Sequence, residues 1–480
     1  MFVFSIHTLG CKLNQVEGEA VADAFRREGF PVIPWEAGVP EDGAPPERPP
    51  ERPPERRLMV LNTCTVTSMA EQKARRYIRS ALRDGACVLV TGCYAQLDPK
   101  ELEALGEGGR LFIIGADGKS ALLDLPRRLA EGIAGGRENL PDLIRAWVLE
   151  LDGGSAGGRF RFAPAGFSFH TRGFLKIQDG CDGRCTYCRV RLARGGSVSL
   201  PPEEALRRLR ALERGGCAEA VLTGVNICRY AFPAGEGKAP LDLGGLLNRL
   251  LGGTERIRLR LSSLEPEEIT GALPLADGRL RPHFHLSVQS GSRRILERMG
   301  RPYGPEKVEQ AVSQLRRLRD DPFLACDIIV GFPGEDDDDF EKTVELCERA
   351  DFAWIHVFPY SPRPGTPAWN FTGRLPQREI RIRADRLLDL ARRGRQNYIR
   401  RWIGREVELI PEYKGTVPPE GLCAATSENY LKLLVSRPAG DPPPGAVLRC
   451  RIREIPPGLP SPQGGRTLSL GDFDALGDTL

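Results

Sequence analysis

Short apolar runs alternate with amphipathic helical patterns along most of this 480-residue chain, and that alternation constrains the fold more than any other feature. Strands that alternate with helices are typical of βαβ units, in which the strands lie parallel. The sequence from Met1 to about Leu125 therefore predicts an open parallel α/β sheet. Its strand patterns are FVFSI, LMVL, CVLV and LFII.

Six more strand patterns, separated by helical patterns, follow between Gly173 and about Pro364. They are FLKIQ, AVLTG, IRLRLSS, HFHLSVQ, DIIVGF and WIHVFPY. Six repeated βα units predict an incomplete (β/α)6 form of the parallel α/β barrel, in which strand ends at one rim build the active site.

The last part of the chain has a different period. After about Trp402 the short patterns EVELI, LKLLVS, VLRCRIREI and TLSL are separated by Pro and Gly, which predicts a small all-β barrel of the oligonucleotide-binding type. We place the domains at residues 1–150, 165–395 and 400–475. The tandem repeat Pro45–Arg56 is interpreted as a solvated insertion, because its prolines favour extended geometry and its charges favour water.

Composition predicts a cytoplasmic chain without a membrane partner. The longest apolar runs are strand-sized, far below the roughly 18 residues of a membrane helix, and the N-terminus lacks a signal-peptide pattern. A net charge of +4 is too small to indicate a polyanionic partner by itself. Thiols stay reduced in the cytosol, so the 13 cysteines are interpreted as metal ligands or buried residues rather than disulfides.

Three cysteines are crowded into the stretch GCDGRCTYC, directly after the first strand of the predicted barrel. The spacing of Cys181, Cys185 and Cys188 suits a loop that wraps three thiolates around one face of a 4Fe-4S cluster and leaves the fourth iron open. An open iron can chelate S-adenosylmethionine and pass it one electron, which releases a carbon radical. Structural zinc is the alternative, but such a site closes with a fourth ligand, and no Cys or His follows closely after Cys188. Three free buried thiols are a second alternative, which the polar loop disfavours.

A second set of three cysteines is spread over the N-terminal domain. Cys11, Cys64 and Cys93 each follow a predicted strand by a few residues. Because the carboxyl ends of parallel strands lie along one edge of an open sheet, we expect these thiols to converge and to hold another 4Fe-4S cluster with one open iron. Independent burial is the alternative for each cysteine taken singly.

Other polar residues at strand ends have structural and functional interpretations. Cys228 lies in a loop after a barrel strand, and its role is open. His283 and His285 point to the same face of one strand, where packing is favoured because no carboxylate stands at metal-ligand spacing.

Contacts to RNA are a hypothesis for two parts of the chain. The arginine-rich segment Arg374–Arg401 is interpreted either as an RNA contact or as a solvated helix with i,i+4 pairs. Tyr430 and Lys432 are candidates for stacking on a base and for meeting a phosphate, or else ordinary strand residues.

The stretches that carry this chemistry resemble a known family, the methylthiotransferases of the radical S-adenosylmethionine superfamily, over nearly the whole chain. They are TLGCKLNQVEGEA, LNTCTVTSMAEQKARRYIR, VTGCYAQLDP, FLKIQDGCDGRCTYC followed by ARG, VLTGVN, HLSVQSGSRRILERM, DIIVGFPGE and HVFPYSPRPGTP. The resemblance implies an N-terminal domain with an auxiliary 4Fe-4S cluster, a radical barrel with a second cluster, and a C-terminal RNA-binding barrel called TRAM. It also implies that Tyr187 lies by the adenine of S-adenosylmethionine, and it makes Gln289 a candidate for the same pocket.

The first-cysteine contexts TLGCKLN and NTCTVT most resemble the branch that methylthiolates carbon 2 of N6-threonylcarbamoyladenosine beside the tRNA anticodon. In that family the auxiliary cluster carries sulfur that one S-adenosylmethionine methylates, while a second one is cleaved to a deoxyadenosyl radical. The implied partners are a tRNA anticodon loop and a one-electron donor such as flavodoxin or ferredoxin. The alternatives are isopentenyladenosine in tRNA or a ribosomal protein as substrate, and a zinc-containing RNA-binding protein.

The chain departs from that family after Cys188. Relatives read close to IIPYARG followed by basic residues, whereas this chain reads RVRLARGGSVSL, with Arg189 and Arg191 early. The proline-rich insertion also lengthens the gap between Cys11 and Cys64. Neither departure removes a predicted cluster ligand.

Overall fold

The structure is a computed structural model that describes most of the chain. The described residues are 2–33, 57–106, 108–137, 139–151, 156–167, 169–233, 235, 237, 239–269, 273–274, 277–412, 418, 421–437, 445–455 and 473–479. The insertion Pro45–Arg56 and the predicted strand TLSL lie outside them. The chain divides into two compact units.

The described strands and helices occur in the following order. The strands are β1 (Val3–Thr8), β2 (Val32–Ile33), β3 (Arg57–Thr63), β4 (Cys87–Gly92), β5 (Leu111–Ile113), β6 (Gly173–Lys176), β7 (Gln178–Asp179), β8 (Val198–Ser199), β9 (Glu219–Thr223), β10 (Arg258–Leu261), β11 (His283–Gln289), β12 (Phe323–Val330), β13 (Trp354–Pro359), β14 (Glu406–Pro411), β15 (Leu422–Ser427), β16 (Lys432–Ser436), β17 (Leu448–Glu454) and β18 (Ala475–Thr479). The helices are α1 (Lys12–Arg27), α2 (Ser68–Arg83), α3 (Cys93–Leu97), α4 (Pro99–Glu103), α5 (Leu125–Ala134), α6 (Leu140–Leu149), α7 (Val190–Arg194), α8 (Pro202–Arg214), α9 (Leu243–Gly252), α10 (Arg293–Arg298), α11 (Pro305–Leu318), α12 (Asp337–Ala350) and α13 (Gln377–Trp402).

The first unit, which comprises Met1–Ser168, Asp179–Gly183 and Cys188–Val198, contains a parallel sheet of order β2-β1-β3-β4-β5. β3 and β4 are buried almost throughout, as parallel strands covered on both faces by helices should be. Helix α2 packs on both of these strands through one apolar face. The prediction of an open parallel α/β sheet is confirmed.

The second unit comprises Phe169–Gln178, Arg184–Tyr187 and Ser199–Leu480, and it contains six parallel barrel strands. They form two three-stranded sheets, β10-β9-β6 and β11-β12-β13. Leu264 joins the two sheets: its N–H donates to the carbonyl of His285 at 2.7 Å, and its carbonyl accepts from the N–H of Ser287 at 2.9 Å. The predicted incomplete (β/α)6 barrel is confirmed.

The C-terminal module of the second unit is a closed barrel of order β14-β15-β16-β18-β17. The all-β barrel prediction is therefore confirmed, but the sequence patterns missed β15 and β18. Both strands are rich in Ala, Gly, Ser and Thr, so neither carries the run of large β-branched residues by which a strand is recognised. β18 closes the barrel by pairing parallel with β16 and antiparallel with β17.

A buried charge cluster fastens this module to the barrel strands. Arg260 and Arg281 both pair with Glu219, at 2.6 and 3.0 Å, and all three side chains are about 1% exposed. The Arg260 guanidinium also donates to the carbonyls of Ser427 and Glu428, at 3.2 and 3.1 Å, in the turn between β15 and β16. The carbonyls of this turn therefore satisfy buried guanidinium donors near the N-terminal ends of the parallel strands.

No helix of the described residues is both long enough and apolar enough to cross a bilayer.

Candidate functional site

The carboxyl ends of three adjacent strands carry the cysteines of the N-terminal set. Cys11 caps α1 just after β1, Cys64 directly follows β3, and Cys93 begins α3 directly after β4. Because β1, β3 and β4 are neighbours in the sheet, the chain reversals after them lie side by side.

The three thiols of this set lie close together. A Cβ atom placed on Gly10 would stand 2.6 Å from the Cys64 sulfur, so the loop that ends in Cys11 lies directly against Cys64. Burial raises the pKa of the Cys64 thiol to about 12, and the charges of Cys11 and Cys93 add to that rise. Thiols that oppose one another's ionisation at one sheet edge suit a site for a cationic group.

The residues at this sheet edge are compatible with a 4Fe-4S cluster. Among the described residues, no group of three or more His, Cys, Asp and Glu side chains is placed to hold one metal ion. A 4Fe-4S cluster puts each thiolate on a different iron, so its ligands stand further apart than those of zinc. The N–H of Val66 also points to the Cys64 sulfur at 3.5 Å, which favours the thiolate form.

A buried charged network surrounds this set of cysteines. Arg194 pairs with both oxygens of Glu17, at 3.0 and 3.1 Å, and with Asp179 at 3.1 Å. Burial by itself would lower the pKa of Arg194, but Glu17, Asp179 and Cys93 outweigh it and raise that pKa well above its usual value. Lys119 pairs with Glu17 as well. The network thus keeps buried cations beside Cys93.

Sequence reasoning missed Glu17 and Lys119. A signal for Glu17 was present, because it lies on the face of α1 that buries Leu13, Val16 and Ala20. A carboxylate on a buried helix face needs a buried partner, and that requirement points to a charged site. No comparable pattern marks Lys119.

The first unit also contains Cys181 and Cys188 of the stretch GCDGRCTYC, and a backbone N–H points to the sulfur of each. The N–H of Gly183 lies 3.2 Å from the sulfur of Cys181, and that of Val190 lies 3.4 Å from the sulfur of Cys188. Donors at sulfur stabilise thiolates and tune bound clusters. At Gly180, φ is +72° and a Cβ would overlap the carbonyl of Gly196, so only glycine fits before Cys181.

The third cysteine of the motif belongs to the second unit, where Arg301 reaches it. The Arg301 guanidinium donates to the Cys185 sulfur at 3.1 Å and also pairs with Glu265. Burial raises the pKa of Glu265 to about 7, against the opposing effect of Arg301. Sequence reasoning missed both residues, because the contact joins segments that are far apart in the chain.

Tyr187 and Gln289, the two candidates for the S-adenosylmethionine pocket, both lie in the second unit. The Tyr187 ring packs edge-on against Phe332, with centroids 6.3 Å apart. Gln289 ends β11 with a φ of +68°, where the register with β12 also breaks. Left-handed backbone in a non-glycine residue costs about 1–3 kcal/mol and concentrates at functional positions. The role of each residue stays a prediction.

The structure gives the remaining polar candidates structural partners. The Tyr430 ring packs on His283, with centroids 4.1 Å apart, below the Arg260 guanidinium. Tyr430 is therefore part of the packing between the module and the barrel strands, rather than an open stacking surface. His285 does have a carboxylate neighbour, Asp327 on β12, at 2.9 Å. The pairing of β11 with β12 brings the two side chains together, and spacing along the chain does not reveal it. The Cys228 sulfur accepts the N–H of Glu265 at 3.3 Å.

Comparisons with known proteins give consistent matches. A family model described as the Radical SAM superfamily matches residues 175–347, and one described as Uncharacterized protein family UPF0004 matches residues 49–113. The threonylcarbamoyladenosine tRNA methylthiotransferase MtaB of Treponema pallidum (strain Nichols) is 39% identical, over 94% of this chain and 98% of that protein. MtaB of Thermotoga maritima is 34% identical, over 89% of this chain and 90% of that protein. The tRNA-2-methylthio-N(6)-dimethylallyladenosine synthase of Novosphingobium aromaticivorans is 30% identical, over 87% and 88%.

Proposed function

This chain belongs to the radical S-adenosylmethionine methylthiotransferase family, and we propose that it methylthiolates carbon 2 of N6-threonylcarbamoyladenosine next to the tRNA anticodon. The proposal includes two 4Fe-4S clusters, one on Cys11, Cys64 and Cys93 and one on Cys181, Cys185 and Cys188. S-adenosylmethionine serves as methyl donor and as radical source. The assignment of substrate rests on the names of the more similar relatives.

The observation that carries the proposal is the meeting of Cys11, Cys64 and Cys93 at one sheet edge, in a chain that also has a three-cysteine radical motif. A radical enzyme that only cleaves S-adenosylmethionine needs one cluster. A second set of three thiols would supply a place for the sulfur that a methylthiotransferase inserts. The carbon 2 hydrogen of adenine is neither acidic nor hydridic, so acid and base catalysis, worth roughly 100- to 10,000-fold, does not suffice.

The side chains hold and tune the groups that react. When bound, a 4Fe-4S cluster with an open iron supplies S-adenosylmethionine with one electron and so yields a carbon radical. Cys185 would hold one iron of that cluster, and Arg301 would orient the sulfur through its hydrogen bond. Glu265 keeps Arg301 in place from the other side. Arg194 and Lys119, both buried and both paired with Glu17, are the basic side chains near Cys93.

The substrate base must leave the anticodon-loop stack to reach a barrel rim. Proteins read single-stranded RNA loops more readily than helices, because unstacked bases expose their edges and faces. Extruding a base costs a few kcal/mol, and least where pairing is absent. An adenosine beside the anticodon meets that condition.

Nucleoside mass spectrometry tests the substrate. In tRNA from cells that lack the gene, methylthiolated N6-threonylcarbamoyladenosine should disappear while its unmethylthiolated precursor accumulates. Its persistence in an organism without a second such enzyme would reject the assignment, and loss of methylthiolated isopentenyladenosine would move it to that sister branch. Zinc without iron or acid-labile sulfide in anaerobically purified protein would reject radical catalysis altogether.

The Cys64→Ala variant tests whether cleavage of S-adenosylmethionine and insertion of sulfur depend on different clusters. After anaerobic reconstitution it should still form deoxyadenosine from S-adenosylmethionine, while methylthiolated nucleoside falls to background. Cys87→Ala is the matched control, because Cys87 begins β4 at the opposite end of the same sheet and is buried there. It should retain both products. Methylthiolation that survives in Cys64→Ala overturns the auxiliary-site assignment.

A further inference from the structure

Helix α7, which begins two residues after Cys188, is held at both ends by buried arginines. At its N-terminal end the Arg189 guanidinium pairs with both oxygens of Asp98, at 2.9 and 3.1 Å, and donates to Thr65 at 3.3 Å. Glu71 lies 3.4 Å away, and the Arg189 side chain is only 6% exposed. A planar guanidinium that meets a carboxylate through two donors fixes direction as well as distance.

The C-terminal end of α7 carries Arg194, whose contacts mirror those of Arg189. Arg194 meets both oxygens of Glu17, donates to the side-chain oxygen of Asn14 at 2.8 Å, and pairs with Asp179. These partners are buried too. A five-residue helix has little stability of its own, so contacts of this kind decide where it lies.

The partners of the two arginines come from the chain segments directly after all three N-terminal cysteines. Asn14 and Glu17 lie in α1, which Cys11 caps. Thr65 directly follows Cys64. Asp98 is the C-cap of α3, the helix that Cys93 begins.

We propose that Arg189 and Arg194, with these partners, form an α7 clasp that fixes Cys188 in position relative to Cys11, Cys64 and Cys93. The two arginines are positioning residues for sulfur insertion, a role that rests on the proposed function.

The clasp explains why both arginines are buried. A buried guanidinium is expensive unless its carboxylate is in place, and replacing the pair by apolar residues often costs nothing or stabilises. The buried charges of Arg189, Arg194 and Glu17, together with the partly buried Asp98, therefore point to a geometric requirement rather than to stability alone.

The first experiment uses the full-length protein without clusters and measures amide hydrogen exchange in α7. The amides of Ala193 and Gly195 are bonded to the carbonyls of Arg189 and Arg191. In Arg189→Ala and in the isosteric Asp98→Asn, exchange at both amides should rise at least tenfold. Arg191→Ala is the matched control, since Arg191 is an exposed residue of the same helix, and exchange there should stay within twofold of the unmutated chain. Equal rates in all four proteins overturn the clasp.

The second experiment uses the reconstituted holoenzyme and compares two products of the same reaction. Arg189→Ala and Asp98→Asn should form deoxyadenosine at more than half the original rate while methylthiolated nucleoside falls at least tenfold; Arg189→Lys should recover only part of it, because lysine lacks the two-donor fork. A proportional fall of both products indicates a merely structural role and rejects positioning. If the unmutated enzyme methylthiolates no tRNA, the proposed function fails, whereas hydrogen exchange still decides the clasp.

Discussion

Single residues at the sheet edge decide whether the N-terminal cysteines can meet. Gly10 has a φ of +93°, and its missing side chain leaves room for Cys64. Glu219, at the other unit's strand ends, is the shared acceptor for buried arginines. The sequence pattern does not indicate the contacts of Gly10 or Glu219; only the packing of the folded chain shows them.

Substitution of Gly10 by Ala should cost about 1–3 kcal/mol of stability, because its left-handed backbone disfavours a side chain and the added Cβ overlaps the sulfur of Cys64. Iron per chain after reconstitution should fall by half, since only the auxiliary site is obstructed. Gly29→Ala is the control: its φ is +79°, but nothing lies within 4 Å of the added Cβ. Iron analysis and thermal unfolding check both variants, and full iron content in Gly10→Ala would contradict the convergence of Cys11 and Cys64.

Glu219 should make the stability of the second unit depend on pH. Burial by itself would raise its pKa, but Arg260, Arg281 and Arg172 outweigh burial and lower the pKa to about 2 from the usual 4.5. The folded form therefore gains stability above pH 4.5 and loses it as the pH falls toward 2, by up to about 3 kcal/mol.

Glu219→Gln should consequently destabilise the unit by about 3–5 kcal/mol at pH 7, because it leaves buried guanidinium groups without their anion. Unfolding of the cluster-free protein in urea, measured between pH 7 and pH 3, checks this. The difference between variant and unmutated protein should shrink below pH 4.5. A difference that is constant over that range would show that folding does not lower the pKa of Glu219.

The structure shows structural ion pairs for arginines of helix α13 that the sequence offered as RNA contacts. Its arginines suggested an RNA-binding surface, but several of them are partners of acidic side chains within the second unit. Arg383 is buried and pairs with Glu335, Asp337 and Glu379, at 2.8, 2.7 and 3.1 Å. Glu335 and Asp337 thus pair with Arg383, while Asp336 and Asp339 form the capping box of α12.

Two arginines of α13 separate structure from RNA contact. Arg383→Ala should lower the free energy of unfolding by about 3–5 kcal/mol, because it leaves the buried Glu335 uncompensated. Arg381→Ala, at an exposed position of the same helix, should change stability by less than about 0.5 kcal/mol. It should instead weaken tRNA binding and reduce the salt dependence by about one unit of slope. Chemical denaturation and binding titrations at several salt concentrations measure these effects; unchanged tRNA affinity in Arg381→Ala would contradict RNA contact at this face.

Within the second unit, the C-terminal β-barrel shares a buried core with the parallel barrel strands. Phe323 of β12, Tyr398 and Trp402 of α13, and Leu431 and Leu433 of the module belong to one buried core. Arg260 of β10 donates to two carbonyls of the same module. The barrel strands and the module should therefore fold as one cooperative body.

Removal of residues 404–480 should accordingly abolish more than RNA binding. The truncated chain exposes the core faces of Phe323 and Trp402 and leaves Arg260 without its carbonyl partners, so we expect aggregation and loss of deoxyadenosine formation. The control is Lys432→Ala in the full chain, since Lys432 is exposed on β16; it should keep deoxyadenosine formation. Calorimetry and product analysis provide the measurements. A truncated chain that stays monomeric and cleaves S-adenosylmethionine would show the module to be separable.

The sequence alone predicted the three folds, because their signals are local. Hydrophobic period distinguishes helices from strands, and alternation of the two specifies parallel sheets. The same topology led from three distant cysteines to one sheet edge, since consecutive parallel strands end on the same side. Strands of small residues, such as β15 and β18, have no local signal, and pairing with neighbours alone makes them strands.

Only the tertiary structure decided which charged residues serve the site. Three ion pairs near the cysteines join residues that lie far apart in the sequence, so no local pattern predicts them. They are Arg189 with Asp98, Arg194 with Glu17, and Arg301 with Glu265. The physical reason is that the hydrophobic pattern is written residue by residue, whereas the cost of a buried charge depends on what the completed fold places beside it.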